Sequence, residues 1–171
     1  MHTLGREREK ENARSYLRDA ADAPLIEAVI DVVHDQLEGR FDFDHARRTF
    51  LAAFELGHSG TWEQAGSWLR KIAPEQPKLH SIWLELTGST KLKLRRIAAA
   101  FATDLPPERA IRVIQALSRD PSKTIRLKLA SDLTVTSIEG GEKVIGFWLQ
   151  DEDDDAVRSE LELARQHATT A

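Results

Sequence analysis

The chain has 171 residues, a net charge of −4, 41% hydrophobic and 30% charged residues, and no cysteine. That composition suits one globular domain or one short repeat array, which at this length buries roughly 70% of its unfolded surface. It excludes disulfides, thiol chemistry and cysteine metal sites, and it lacks the global basic signature of a nucleic-acid binder.

Met1 to Lys10, a run of charges from Arg6 onward, has no signal-peptide core. No apolar run approaches the roughly 18 residues of a membrane span, so cytoplasmic residence and no membrane association are expected. From Leu4 to Ala20, the residues Ala13, Tyr16, Leu17 and Ala20 recur at helical spacing and predict a surface helix with a narrow apolar stripe. After a break at Ala21 to Pro24, Leu25, Ile26, Val29, Ile30, Val33 and Leu37 form a wide apolar face ended by Gly39. Asp44 is placed to cap the next helix, because its carboxylate can accept a free N–H of the first turn. That helix buries Ala46, Phe50, Ala53, Phe54 and Leu56. A Gly57-His58-Ser59-Gly60 turn follows, and Thr61 is expected to cap a short helix carrying Trp62, Trp68, Leu69 and Ile72. Pro74 and Pro77 separate it from a helix with Ile82, Trp83, Leu84 and Leu86, stopped at Gly88.

From Ser81 a pattern repeats three times. The copies begin at Ser81, Arg112 and Lys143, each 31 residues after the last. In each, an apolar helix is followed by a polar break and then by a second helix opening on an apolar residue and arginine. These openings are Leu94-Arg95, Ile125-Arg126 and Val157-Arg158. Pro106-Pro107 opens one helix where the missing N–H is harmless, and Pro121 follows Asp120. Two helices per unit at this period indicate a helical solenoid, in which each pair buries its apolar face against its neighbours.

The aligned copies resemble HEAT-like repeats. Asp120-Pro121, Ile125-Arg126, Ala130 and Leu133 match best. Leu94-Arg95 with Ala98 and Ala99 matches without Asp-Pro, and Val157-Arg158 follows an Asp run instead. The resemblance implies an all-α, right-handed α-solenoid of about five stacked hairpins, or about ten helices, across residues 1–171. Residues 1–40 would be the N-terminal cap, 41–80 a divergent repeat region and 81–171 the clearest repeats. It also implies that the repeated arginine is structural, bonding between repeats. It says little of function, since such repeats serve mostly as binding scaffolds.

Charge is segregated over these repeats. Lys91 to Lys128 is basic, with Lys91, Lys93, Arg96, Lys123 and Lys128 as candidate phosphate contacts, whereas Leu129 to Glu162 is acidic. The bland account is that the two zones pair with each other; the functional one is that one zone steers a charged partner. In the leading account, Asp151, Asp153, Asp154, Asp155 and Glu160 meet a basic protein. In its sharpest form the chain is a bacterial immunity or inhibitor protein that occludes a toxin such as a nuclease. Trp148 is the candidate anchor, provided it is exposed. The alternative is a nucleic-acid binder using the basic patch.

No motif predicts catalysis or a cofactor. Asp151, Asp153, Asp155 and Glu162 fall at four EF-hand positions, but Ala156 stands where the calcium loop needs glycine. The six histidines show no metal spacing, and GHSG around Ser59 falls short of a nucleophile elbow. The expectation is therefore a non-enzymatic protein with no catalytic residue, metal or cofactor.

Overall fold

The computed structural model describes residues 5–168. Among them are ten α-helices, three short 3-10 turns and no strand. The chain divides into two compact units, Met1–Ile82 and Trp83–Ala171, so the division falls close to the start of the clearest repeats.

The first unit is built on α2 (Ala23–Leu37), which packs against α1 (Arg6–Ser15), α3 (Phe43–Leu56) and α4 (Thr61–Ile72). Ile26, Val29, Ile30 and Val33 recur at helical spacing and are fully buried. Phe50 and Phe54, one turn apart on α3, join them, and α4 adds Leu69 and Ile72. Full burial of such side chains stabilises by roughly 1.5–3 kcal/mol each, so this face rather than helix propensity holds the unit. α1 is attached differently, because only Glu9 and Ala13 of it are buried. Arg6 pairs with Asp31, Asp35 and Glu38, Lys10 with Asp31, and Arg14 with Glu27, all on α2 or at its end. Glu9 meets His34 across the same seam at 2.9 Å.

Three local expectations are corrected here. α1 stops at Ser15, and Tyr16, expected in its apolar stripe, is 65% exposed. Asp42 rather than Asp44 caps α3, accepting the N–H groups of Asp44 and His45. An aspartate two residues earlier in extended backbone does the same chemistry. The N-cap of α4 is Gly60, and Thr61 is instead its first residue. Thr61 donates its hydroxyl to the buried carboxylate of Asp22 at 2.6 Å, and Asp22 also accepts the backbone N–H of His58.

In the second unit, after the rest of α5 (Ser81–Thr87), come α6 (Leu92–Phe101), α7 (Pro107–Leu117), α8 (Lys123–Val135), α9 (Gly141–Asp151) and α10 (Asp155–Ala168). α6, α8 and α10 pack in succession, α8 against both neighbours, and α7 packs against α9. The alternation of sequence repeats thus becomes two layers, first helices in one and second helices in the other. Ile125, Leu129, Ala130 and Leu133 of α8, together with Val157, Leu161 and Ala164 of α10, form the seam of the second layer. Trp83 closes the unit's start against Phe101, with ring centroids 5.1 Å apart. α7 opens on Pro107 as its sequence predicts. Pro121, by contrast, lies in the turn two residues ahead of α8, not in its first turn.

Candidate binding groove

The three repeated arginines occupy equivalent positions. Each sends an Nη1 hydrogen bond to a carbonyl six residues earlier: Arg95 to Ser89, Arg126 to Asp120, and Arg158 to Glu152. Each of those earlier residues also shapes its own turn. Ser89 Oγ accepts the N–H of Lys91, Asp120 Oδ1 that of Ser122, and Glu152 Oε1 that of Asp154. The remaining guanidinium donors reach the next repeat. Arg95 donates to both oxygens of Asp120, at 2.7 and 3.4 Å, and Arg126 donates to both oxygens of Glu152, at 2.9 and 3.0 Å. Asp120 and Glu152 are almost completely buried. The result is a ladder, Arg95–Asp120–Arg126–Glu152–Arg158, that ties turn to turn. Arg158 ends it: among the described residues its guanidinium donates to the carbonyls of Leu149 and Glu152 and meets no carboxylate.

Beside this ladder a groove of about 620 Å³ runs between the C-terminal ends of α7 and α9. Its lining includes Arg119, Asp120, Arg126, Phe147, Asp151 and Asp153. Phe147 is 66% exposed, and the Asp153 side chain is 97% exposed. Arg119 and Asp151 form an ion pair of 2.9 Å with both partners largely in solvent, a contact that contributes little and opens readily. Four carboxylates (Asp120, Asp151, Glu152, Asp153) against two guanidiniums (Arg119, Arg126) give the lining a net charge of −2.

The expected acidic contact set is divided by the structure. Glu152, inside the acidic run but absent from that set, is the structural member. Burial would raise its carboxyl, but hydrogen bonds from Arg126, Trp148 and the Asp154 N–H outweigh that and hold it below its ordinary value. Asp154 is bound to Lys123 at 2.8 Å and accepts the N–H groups of Ala156 and Val157, capping α10; Lys123 foremost lowers its carboxyl. Asp151 and Asp153 line the groove, Asp155 is exposed on the first turn of α10, and Glu160 is half-buried farther along it.

The Trp148 anchor is overturned. Its ring is only 4% exposed, because it sits on the core face of α9, and its Nε1–H donates to Glu152 at 2.9 Å. The exposed aromatic is its neighbour Phe147, one position round the helix. A missed signal lay in the repeat register: Glu152 stands five residues before Val157, as Asp120 stands five before Ile125.

The candidate basic patch is not brought together as a repeated stripe. Lys123 is paired with Asp154, and Lys128 with Asp132 on its own helix. In repeat register Lys123 takes the place of Leu92, and Lys128 that of Ile97. Lys91, Lys93 and Arg96 lie at or on α6 and are exposed. Thus the basic and acidic zones pair with each other between the α7–α8 turn with the start of α8 and the α9–α10 turn, through Arg119–Asp151, Lys123–Asp154 and Arg126–Glu152.

Among the described residues no group of three or more His, Asp or Glu side chains could hold a metal ion. In the GHSG turn, the Ser59 hydroxyl donates to Glu63 while His58 Nδ1 meets Asp22, so serine and histidine are not coupled as nucleophile and base. No helix among the described residues is long and apolar enough to cross a membrane. Compared with family models, with curated proteins and with solved structures, the chain matches none.

Proposed function

We propose that this chain is a non-enzymatic protein-binding module on a HEAT-like, right-handed helical scaffold, and that the groove between α7 and α9 is its contact face. The observation that carries this reading is Phe147, a large aromatic held in solvent beside a groove of net negative lining. An exposed aromatic beside the exposed Asp153, and beside Asp151 whose ion pair with Arg119 lies largely in solvent, suits a basic protein segment. A lysine or arginine stem packs on the ring, its head meets Asp151 and Asp153, and the cation gains from the ring face. Asp155 extends the negative field along the start of α10. The sharpest form of the reading is an inhibitor or immunity protein that occludes a basic toxin in the cytoplasm of a bacterium.

The nucleic-acid reading ranks second. The ion pairs of Lys123 and Lys128 weigh against it, because a phosphate backbone would have to displace Asp154 and Asp132. The test is a pull-down run in parallel with the wild-type chain and a Phe147→Ala, Asp153→Asn double variant. A basic protein captured by the wild type, released by salt and lost with the double variant supports the reading. Capture that ignores both substitutions, or salt-dependent retention on duplex DNA with no protein partner, overturns it.

A further inference from the structure

The first unit carries a second groove, of about 530 Å³, between the end of α1 and the exposed side of α4. Its lining differs in kind from that of the α7–α9 groove. Two aromatic rings contribute, Tyr16 and Trp68, the first largely in solvent and the second half-exposed. Two cations stand with them, Arg18 and Lys71. Asn12 and Gln64 add amides, and Gln64 Nε2 donates to the Ala13 carbonyl, fastening α4 to α1.

The cations are what set this groove apart. On α1, Arg6, Lys10 and Arg14 are matched with carboxylates of α2 or its end, and Arg8 is exposed outside the groove. Arg18 has no carboxylate partner among the described residues, and Lys71 lies over the Trp68 ring, 4.4 Å from its centroid. The acid in the lining, Glu63, is committed to the Gly60 N–H and the Ser59 hydroxyl. The lining therefore has a net charge of +1, in a chain whose net charge is −4.

The walls are fixed in place. Gly60 adopts φ +98°, and a Cβ there would stand 2.8 Å from the Tyr16 carbonyl oxygen, so the chain at Tyr16 runs directly over the start of α4. With Gln64 bonded to the Ala13 carbonyl, this close approach places Tyr16 and Arg18 beside α4 although α1 has already ended.

Aromatic faces select a planar ligand, and cations without a carboxylate partner select an anionic one. A sugar would use the rings and amides but leave both cations without a role. We propose that the α1–α4 groove binds a nucleotide: the base stacks on Tyr16 or Trp68, and the phosphate is held by Arg18 and Lys71. Stacking of this kind tolerates any base, because every base has a π-face. Lys71 can turn to a phosphate without breaking a salt bridge, since only the indole holds it. The groove volume lies within the range of small-ligand sites, roughly 300–1,000 Å³. It shares no lining residue with the α7–α9 groove.

The test is calorimetric titration of the full chain with adenosine 5′-monophosphate and with a short oligodeoxythymidylate, using adenosine and inorganic phosphate as controls. Binding of either probe more tightly than both controls is expected, weakening with salt. Trp68→Ala and Arg18→Ala should each reduce affinity about tenfold, whereas Phe147→Ala should leave it unchanged. Tyr16→Ala serves as a further variant, because an exposed ring can be removed without opening a core. Equal affinity for the two probes identifies a free nucleotide as the ligand; tighter binding of the oligonucleotide identifies a single strand. The proposal is overturned if neither probe binds at millimolar concentration. It is equally overturned if affinity survives the Trp68→Ala, Arg18→Ala double substitution, or if phosphate alone binds as tightly as the nucleotide.

Discussion

Arg126 and Glu152 join two successive repeat turns through a pair of parallel hydrogen bonds, with only 15% of the arginine side chain and 2% of the glutamate side chain exposed. The arginine is extended by its bond to the Asp120 carbonyl, and the glutamate by the Trp148 indole. Neither charge is left unsatisfied, which is the condition under which a buried pair is tolerated.

Removing one partner should therefore be far worse than removing the terminal member of the same series. Arg126→Ala strands Glu152 and should destabilise by about 3–5 kcal/mol, the usual penalty for an orphaned buried charge. Arg158→Ala removes bonds to two carbonyls but orphans no carboxylate, and should lose about 1–3 kcal/mol. Urea unfolding of the two variants beside the wild type measures the difference. Equal losses would mean that the ladder has no energetic continuity from turn to turn.

The same glutamate makes a signed prediction for acid. Its folded-state carboxyl is held below the ordinary value of 4.5. A depressed acid contributes stability in full above the unfolded value and loses it as pH falls through the folded one. In Glu152→Gln this contribution is absent. The variant should be less stable than the wild type at neutral pH, and the two melting temperatures should converge as pH falls below the ordinary carboxyl value and through the depressed folded-state one. Parallel curves across that range would show that protonation of Glu152 is not linked to folding.

The rhythm of apolar residues was enough to place the helices, because burial of one face is what makes each of them form. The three arginines were likewise visible, since a structural contact repeated at a fixed period leaves a repeated letter. The partners were harder to see. Ser89, Asp120 and Glu152 share one place in the repeat but not one side chain, and only the carbonyl and the turn-forming oxygen are common to all three. Trp148 and Phe147 show the limit most plainly. Neighbours on a helix are about 100° apart, so the apolar stretch Val144 to Leu149 does not by itself say which aromatic turns inward. The α1–α4 groove was hidden for another reason. Its walls come from segments about fifty residues apart, joined where Tyr16 crosses Gly60.

That crossing predicts unequal outcomes for alanine at two glycines of positive φ. Gly60, at φ +98°, has the Tyr16 carbonyl oxygen 2.8 Å from the site of a new Cβ; a fixed backbone atom cannot move aside cheaply. Gly140, at φ +77°, would meet only the flexible tip of Ile111 at 3.3 Å. Gly140→Ala should cost about 1–2 kcal/mol for the left-handed conformation. Gly60→Ala should cost more than that, and proteolysis should cut sooner near residues 16–19 as the segment lifts from α4. If the two variants melt together and the cleavage pattern is unchanged, the close approach does not constrain the chain.

Phe147 and Trp148 offer the cleanest separation of stability from recognition. Trp148→Ala opens a cavity in the α9 core face and removes a donor from Glu152, so a loss of about 3–5 kcal/mol is expected. Phe147→Ala removes a ring that is two-thirds in solvent and should change stability by no more than about 0.5 kcal/mol. The exposed part of that ring adds little to the fold, so in the proposed reading its contribution appears only when a partner covers it. With a purified basic partner, Phe147→Ala should weaken binding by about 1–3 kcal/mol, as truncation of a contact residue does, while thermal unfolding of the free chain stays unchanged. A variant that melts early would place Phe147 in the fold. One that melts normally and still binds fully would move the contact face away from the α7–α9 groove.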